Sequence, residues 1–210
     1  MIIPTLSEAL FTGITLALAI LVALRAELTR ARGGKVLAFL AIFILPIMAV
    51  WVGYSKHMSQ AETTRFCLSC HVMHDFGRSL YVDDPSYIPA KHFQDNLVPR
   101  ERACYTCHTD YTMFGPVNAK LRGLHHLYVE YFGKIPQPAD IRLYTPFNNR
   151  ECLHCHAGMR AFIEEAKHSK TPDMMSRITS NQISCMTKGC HDVVHNVSSL
   201  KDATFWKGPQ

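Results

Sequence analysis

The chain has no solitary cysteine: all eight fall into four close pairs. It has no basic stripe and no nucleic-acid-binding motif, although its formal charge is +5. Four of the basic residues, Arg25, Arg30, Arg32 and Lys35, crowd one short segment, and beyond residue 54 there are 18 Lys and Arg against 15 Asp and Glu. That near balance excludes a polyanion-binding footprint, so no nucleic-acid partner is expected. Met1 to Glu8 contain no Lys or Arg, so the positive start of a secretory signal is missing too.

What is present is a repeated pattern of thiols and imidazoles. Three pairs read C-x-x-C-H: Cys67 and Cys70 before His71, Cys104 and Cys107 before His108, Cys152 and Cys155 before His156. The fourth, Cys185 and Cys190 before His191, is widened to C-x4-C-H. Two thiols at this spacing can add across the two vinyl groups of haem, and the following His then reaches the iron from one side. The two additional residues of the fourth pair would have to loop out. Zinc sites also use C-x-x-C half-sites, and disulfide frameworks also pair cysteines. Neither requires His directly after the second Cys in all four pairs. Four covalently bound haem c groups are therefore expected.

Residues 55–210 leave only about 39 residues per haem, too few for an ordinary core, so the haems themselves would form it and the apo domain should be largely unfolded. With two propionates per haem, the small positive excess of this part would turn acidic.

Ahead of it lies a membrane anchor, residues 1–54. Val36 to Val52 is uncharged, and with Gly53 and Tyr54 it reaches about 28 Å as a helix, close to one hydrocarbon thickness. Trp51 and Tyr54 suit the interfacial aromatic belt, and Pro46 is a site for a kink. Ala9 to Leu24 forms a shorter apolar run, read as a second span from about 5 to 24 rather than a cleaved signal. The segment Arg25–Lys35, with four positive residues and one acid, should be cytoplasmic. Both ends then face outward, and the haem domain, 55–210, is periplasmic on a bacterial inner membrane. Covalent haem attachment outside the reducing cytosol asks for the same orientation.

The expected fold class is a membrane-anchored, mostly-α multihaem cytochrome c: two transmembrane helices plus a loop-rich tetrahaem domain of short helices. The motifs begin at 67, 104, 152 and 185, so they form no strict repeat. The stretch from Asp83 to Pro99 reads as a loop. Pro116 to Phe132 reads as a helix, with Pro in its first turn, Gly133 after its end, and Lys120, Leu124, Leu127 and Tyr131 along one face. Ile135 to Phe147, with three prolines, reads as a linker, and 158–168 as a short helix with Phe162, Ile163 and Ala166 on its apolar side. Apart from His154, which lies inside the third motif, seven further histidines after residue 54 (His57, His74, His92, His125, His126, His168 and His195) are potential sixth ligands for irons already held by one imidazole.

These residues resemble the NapC/NirT/NrfH family of membrane-anchored multihaem quinol dehydrogenase cytochromes, over roughly residues 36 to 197. The first motif continues Cys70-His71-Val72-Met73, similar to that family's first-haem signature. His92-Phe93-Gln94-Asp95-Asn96 and Arg102-Ala103-Cys104 precede the second motif much as in the family. Lys120 stands twelve residues after His108, where the family carries a Lys near its quinol site. His195, four residues past His191, resembles the family's C-terminal ligand. Three features depart: the additional first span, the widened fourth motif, and His126 where the family tends to have Asp or Glu.

The resemblance implies that Met73 rather than His71 ligates the first iron; both remain open. His108, His156 and His191 would be proximal ligands, and His92, His168 and His195 distal ones. It also implies quinol oxidation at the membrane face, with Lys120 holding the quinol oxygen and His126 accepting protons. The implied partners are the lipid bilayer, a membrane quinol and a periplasmic or membrane-bound redox protein. Two other readings stand beside this: an electron-transfer subunit of a larger membrane complex without its own quinol site, and catalysis at a haem with an open position, such as nitrite or hydroxylamine chemistry. About 120° separates Lys120 from His126 on a regular helix, so to meet both, one quinol would have to lie across that flank or Gly123 would have to loosen the helix.

Overall fold

The computed structural model describes residues 6–143 and 146–208. The chain divides between Ala61 and Glu62 into two compact units. In the first, α1 (Leu6–Leu24) is a 19-residue apolar helix. A 3-10 turn, Ala26–Thr29, leads into α2 (Arg32–Phe39), a π-helical turn at Leu40–Ile44, and α3 (Leu45–Gln60). Gly34 permits this corner, because a Cβ there would fall 1.5 Å from the Leu28 carbonyl oxygen.

From Arg32 to Gln60 the helix is 29 residues long, or about 43 Å, well past the end expected at Tyr54. The π turn stands just ahead of Pro46, which has no N–H to offer the preceding turn. Widening that turn lets the helix continue past the proline. α1 packs against α3, and Glu8 near the start of α1 pairs with Lys56 near the end of α3 at 2.6 Å. Both helices expose nearly all of their apolar side chains, as lipid-facing surfaces do. The start expected for the first span, Thr5, lies outside the described residues.

The second unit is built from short helices: α4 (Thr64–Cys67), α5 (His74–Ser79), α6 (Ile88–Gln94), α7 (Ala103–His108), α8 (Gly115–Phe132), α9 (Arg150–His156), α10 (Arg160–Ile163) and α11 (Met174–Thr179). Among the described residues the only β pairing is one antiparallel bridge, Val82 with Phe205. Two small apolar clusters form its protein core. Leu80, Phe93, Val98 and Ala103 make one. Val82, Tyr87, Ala90 and Leu200 make the other, with Val193, Val197, Ala203 and Phe205 against it.

Two sequence expectations change. The stretch from Asp83 to Pro99 is not all loop, since it contains α6. Pro89 sits in the first turn of that helix, where a missing N–H costs nothing. The helix expected over 158–168 breaks into α10 and a 3-10 turn, Ala166–Ser169, with Phe162 buried and Ile163 exposed. The residues of the 135–147 linker other than 144 and 145, which lie outside the described residues, are irregular apart from a 3-10 turn at Pro138–Asp140.

Candidate haem and quinol sites

The four cysteine motifs sit side by side in chain order. The thiols of Cys67 and Cys104 hydrogen-bond; this pushes Cys67 far up and brings Cys104 down to about 7. Cys152 and Cys185 do the same, with Cys185 at about 7. Between these couples, burial and then the neighbouring Cys155 raise Cys107. None of the eight cysteines is in a disulfide. Among the described residues, no three His, Cys, Asp or Glu side chains converge as a zinc site would require.

Two polar side chains fix the couples. Thr64 donates through Oγ1 to the Arg100 carbonyl at 2.7 Å and accepts from the Ala103 N–H at 2.9 Å, tying α4 to the start of α7. Asn149, 1% exposed, does this for the third and fourth motifs. Its carbonyl oxygen accepts from the Cys152 N–H at 3.0 Å, and its side-chain Oδ1 accepts from the Cys185 N–H at 2.8 Å.

The first three motifs begin on or within short helices, whereas the fourth is a set of turns. Its additional residues loop out: Gly189 has φ +83, a conformation glycine adopts without strain. The His191 N–H then donates to the Cys185 carbonyl at 3.1 Å, closing the widened ring.

Three motif histidines each face one distant histidine. His108 and His195 lie with ring centres 6.3 Å apart and planes 21° from parallel. His156 faces His92 at 5.9 Å, and His191 faces His168 at 6.2 Å. Two imidazole nitrogens, each about 2 Å from one shared metal atom, put their ring centres roughly 6 Å apart.

The distant partners are also oriented through Nδ1. It is 2.8 Å from the Ile88 carbonyl in His92 and 2.9 Å from the Phe162 carbonyl in His168. In His195 it is 2.6 Å from Ser79 Oγ. Ser79 already donates its own proton to the Phe76 carbonyl, so His195 Nδ1–H must be the donor. In each case Nδ1 is occupied and Nε2 is the ring nitrogen available to a metal, the arrangement usual behind a metal-bound imidazole. Burial and then His108 bring the pKa of His195 down to about 4, so it is the neutral form that ligation needs. Its φ of 43, uncommon for a non-glycine residue, is set within this packing.

The first motif is different. His71 and Met73 share one 3-10 turn, with His71 exposed and Met73 half-buried. Lys120 and His126 have different neighbours. Lys120 Nζ lies 4.6 Å from the centre of the Tyr105 ring. Desolvation lowers its pKa, Cys67 raises it, and Arg102 lowers it again. His126 instead acts on His108, while desolvation and His125 lower His126 itself. The remaining histidines have other surroundings: His154 stacks on Tyr111 at 3.7 Å, and His125 on Tyr128.

The distal pairings were not legible in the motifs. No local spacing joins His92 to His156 or His195 to His108. The weak signal available was histidine in excess of the motif positions. Thr64 and Asn149 carried no signal at all.

The sequence model of the NapC/NirT cytochrome c family, N-terminal region, matches residues 30–200. The cytochrome c-type protein NapC of Escherichia coli (strain K12) is 24% identical over 165 residues, covering 72% of this chain and 78% of the relative. That of Haemophilus influenzae (strain ATCC 51907 / DSM 11121 / KW20 / Rd) is 25% identical over 118 residues, covering 50% and 54%. No solved structure matches the chain.

Proposed function

The chain belongs to the NapC/NirT cytochrome c family, and from that premise we propose that it oxidises a membrane quinol and delivers the electrons to a periplasmic redox partner. As a member it is a membrane-anchored cytochrome c of respiratory electron transfer that carries covalent haem c. Our reading puts four haems on it, one at each cysteine pair. His108 with His195, His156 with His92, and His191 with His168 would hold three irons, and Met73 or His71 the first. Bound haem supplies one-electron carriers, so that the two electrons of a quinol leave singly.

The observation that carries the quinol reading is the position of Lys120 over Tyr105 and within electrostatic reach of Cys67. It sets a cation on the flank of the first motif. Its ammonium group donates a hydrogen bond to the quinol oxygen and holds it against that motif. Desolvation lowers the pKa of Lys120, so this proton is held less tightly than on a solvated lysine. His126, also lowered, is neutral near pH 7 and can accept a proton. Because it neighbours His108, it would do so one motif further along. The orientation follows from charge: Arg25–Lys35 stays cytoplasmic, and the opposite ends of both spans, joined by Glu8 and Lys56, face the periplasm with the haem domain.

The test is quinol-driven haem reduction by the purified holoprotein in lipid. The natural chain should reduce. Lys120→Ala should slow reduction roughly ten- to a hundredfold, the loss of a charged hydrogen bond of about 1.5–3 kcal/mol, with every haem spectrum unchanged. An unaltered rate removes Lys120 from the site. A natural chain that cannot be reduced by quinol favours the second reading, a subunit of a larger complex, for which α1 supplies a docking helix.

A further inference from the structure

α8 is 18 residues long and is exposed along most of its surface, its apolar residues included. Val117, Leu121, Leu124, Leu127, Tyr128 and Tyr131 fall within an arc of about 120° and are between 43% and 74% exposed. The other side carries small and polar residues, Ala119, Gly123 and Glu130 among them. α8 makes only sparse contact with other elements of its unit. A helix of this length with a central glycine is marginal alone in water, and an apolar face this wide marks a contact surface. Something must cover it.

The covering surface follows from what lies beside the flank of α8. Glu62 is the first residue of the haem-bearing unit and directly follows the anchor. It forms an ion pair with Arg102. Arg102 in turn acts on Lys120, which falls within this arc near its edge. The root of the unit, where the chain leaves the bilayer, is thus contiguous with the flank of α8. The arc also has the composition of a helix lying in an interface: leucines along its middle, tyrosines towards its end, and Lys134 two residues past the last helical residue, where a lysine can reach headgroups.

We infer that α8 is an interfacial helix whose apolar face rests on the surface of the phospholipid bilayer, a membrane contact additional to the two spanning helices. It holds Lys120 at the depth where a lipid-dissolved quinol presents its head.

The test uses the full-length holoprotein in nanodiscs containing phosphatidylcholine with a diazirine on its acyl chain. After irradiation, adducts are mapped by peptide mass spectrometry. Adducts should appear on Leu121, Leu124, Leu127 and Tyr128 as well as on α1 and α3. The double variant Leu124→Glu with Tyr128→Glu should lose α8 labelling while α1 labelling and all haem spectra stay as they were. Adducts confined to the spanning helices overturn the inference. Protection of α8 from both lipid-borne and water-borne diazirine also overturns it, because haem, a second copy or a partner protein then covers the face. Undiminished α8 labelling in the double variant does so as well.

Discussion

Replacing Asn149 should loosen the half of the haem domain that carries the third and fourth motifs. Its side-chain Nδ2 donates to the Ile178 carbonyl at 2.8 Å and to the Ile183 carbonyl at 2.6 Å, while Oδ1 accepts from the Cys185 N–H at 2.8 Å. Asn149→Ala deletes three hydrogen bonds and strands three backbone groups where water has little access. At about 1 kcal/mol net per bond, and up to about 2 where a group stays unpaired, the loss is roughly 3–6 kcal/mol. That is a large share of a typical domain's 5–15 kcal/mol, or about that order.

Asn149→Asp separates packing from hydrogen bonding. It keeps the shape and the acceptor for Cys185, but turns a carboxylate oxygen towards two carbonyl oxygens, so it should be at least as destabilising as Ala. The assay is chemical denaturation of the holoprotein in detergent, followed through the low-spin haem bands. An Asp variant within about 1 kcal/mol of the natural chain would refute the hydrogen-bond account, since shape alone would then suffice.

The proposed ligand pairs predict which haem each substitution alters. His92→Ala should convert the haem at Cys152 and Cys155 to high spin and spare the haem at Cys104 and Cys107, read by magnetic circular dichroism; the reverse pattern breaks the pairing. Ser79→Ala should weaken the His195 ligation without removing it, seen as a shifted potential for one haem. If Met73 holds the first iron, Met73→Leu should change one haem's spectrum and potential while His71→Ala changes little; the opposite ordering assigns the iron to His71. A cytoplasm-only reporter should be active when inserted within Arg25–Lys35 and silent after Gln210, and inverted signals would reverse the topology.

The sequence displayed what is local and hid what is distant. Cysteine spacing, the apolar runs and the charge of Arg25–Lys35 are all readable within a few residues. So was α8, whose observed start at Gly115 is one residue from the expectation, because Pro116 marks a first turn. α6 was hidden because Pro85, Pro89 and Pro99 look like breakers in a row, although only Pro89 lies in the helix and it stands in the first turn. The helix over 158–168 was overextended. Its apolar residues keep helical spacing, but Arg160 pairs with Glu164 within one turn, and Glu165 caps the next turn by accepting from the Lys167 N–H. The three imidazole pairs join residues far apart in the chain, where no periodicity reaches.

Those distant pairs bear on how so thin a domain holds together. The two apolar clusters are small, and two of the three proposed distal ligands grow out of them. His92 lies on α6 between Ala90 and Phe93, one from each cluster. His195 stands between Val193 and Val197, packed on the second. His168 hangs on α10 through the Phe162 carbonyl, and the Phe162 ring lies 4.8 Å from its own. Each protein cluster therefore ends in an imidazole aimed at a motif from another part of the chain. Two metal bonds would close each of these long loops, and loop closure is where a cross-link contributes most to folding. A chain with all eight cysteines replaced by Ala keeps both clusters and every imidazole, so it isolates this contribution. Its residues 62–210 should show amide exchange close to that of an unfolded chain, while α1 and α3 remain protected in the bilayer. Protection at α6 and α9 in that chain would mean that the two small clusters suffice, and that the imidazole pairs are held by protein packing rather than by the irons between them.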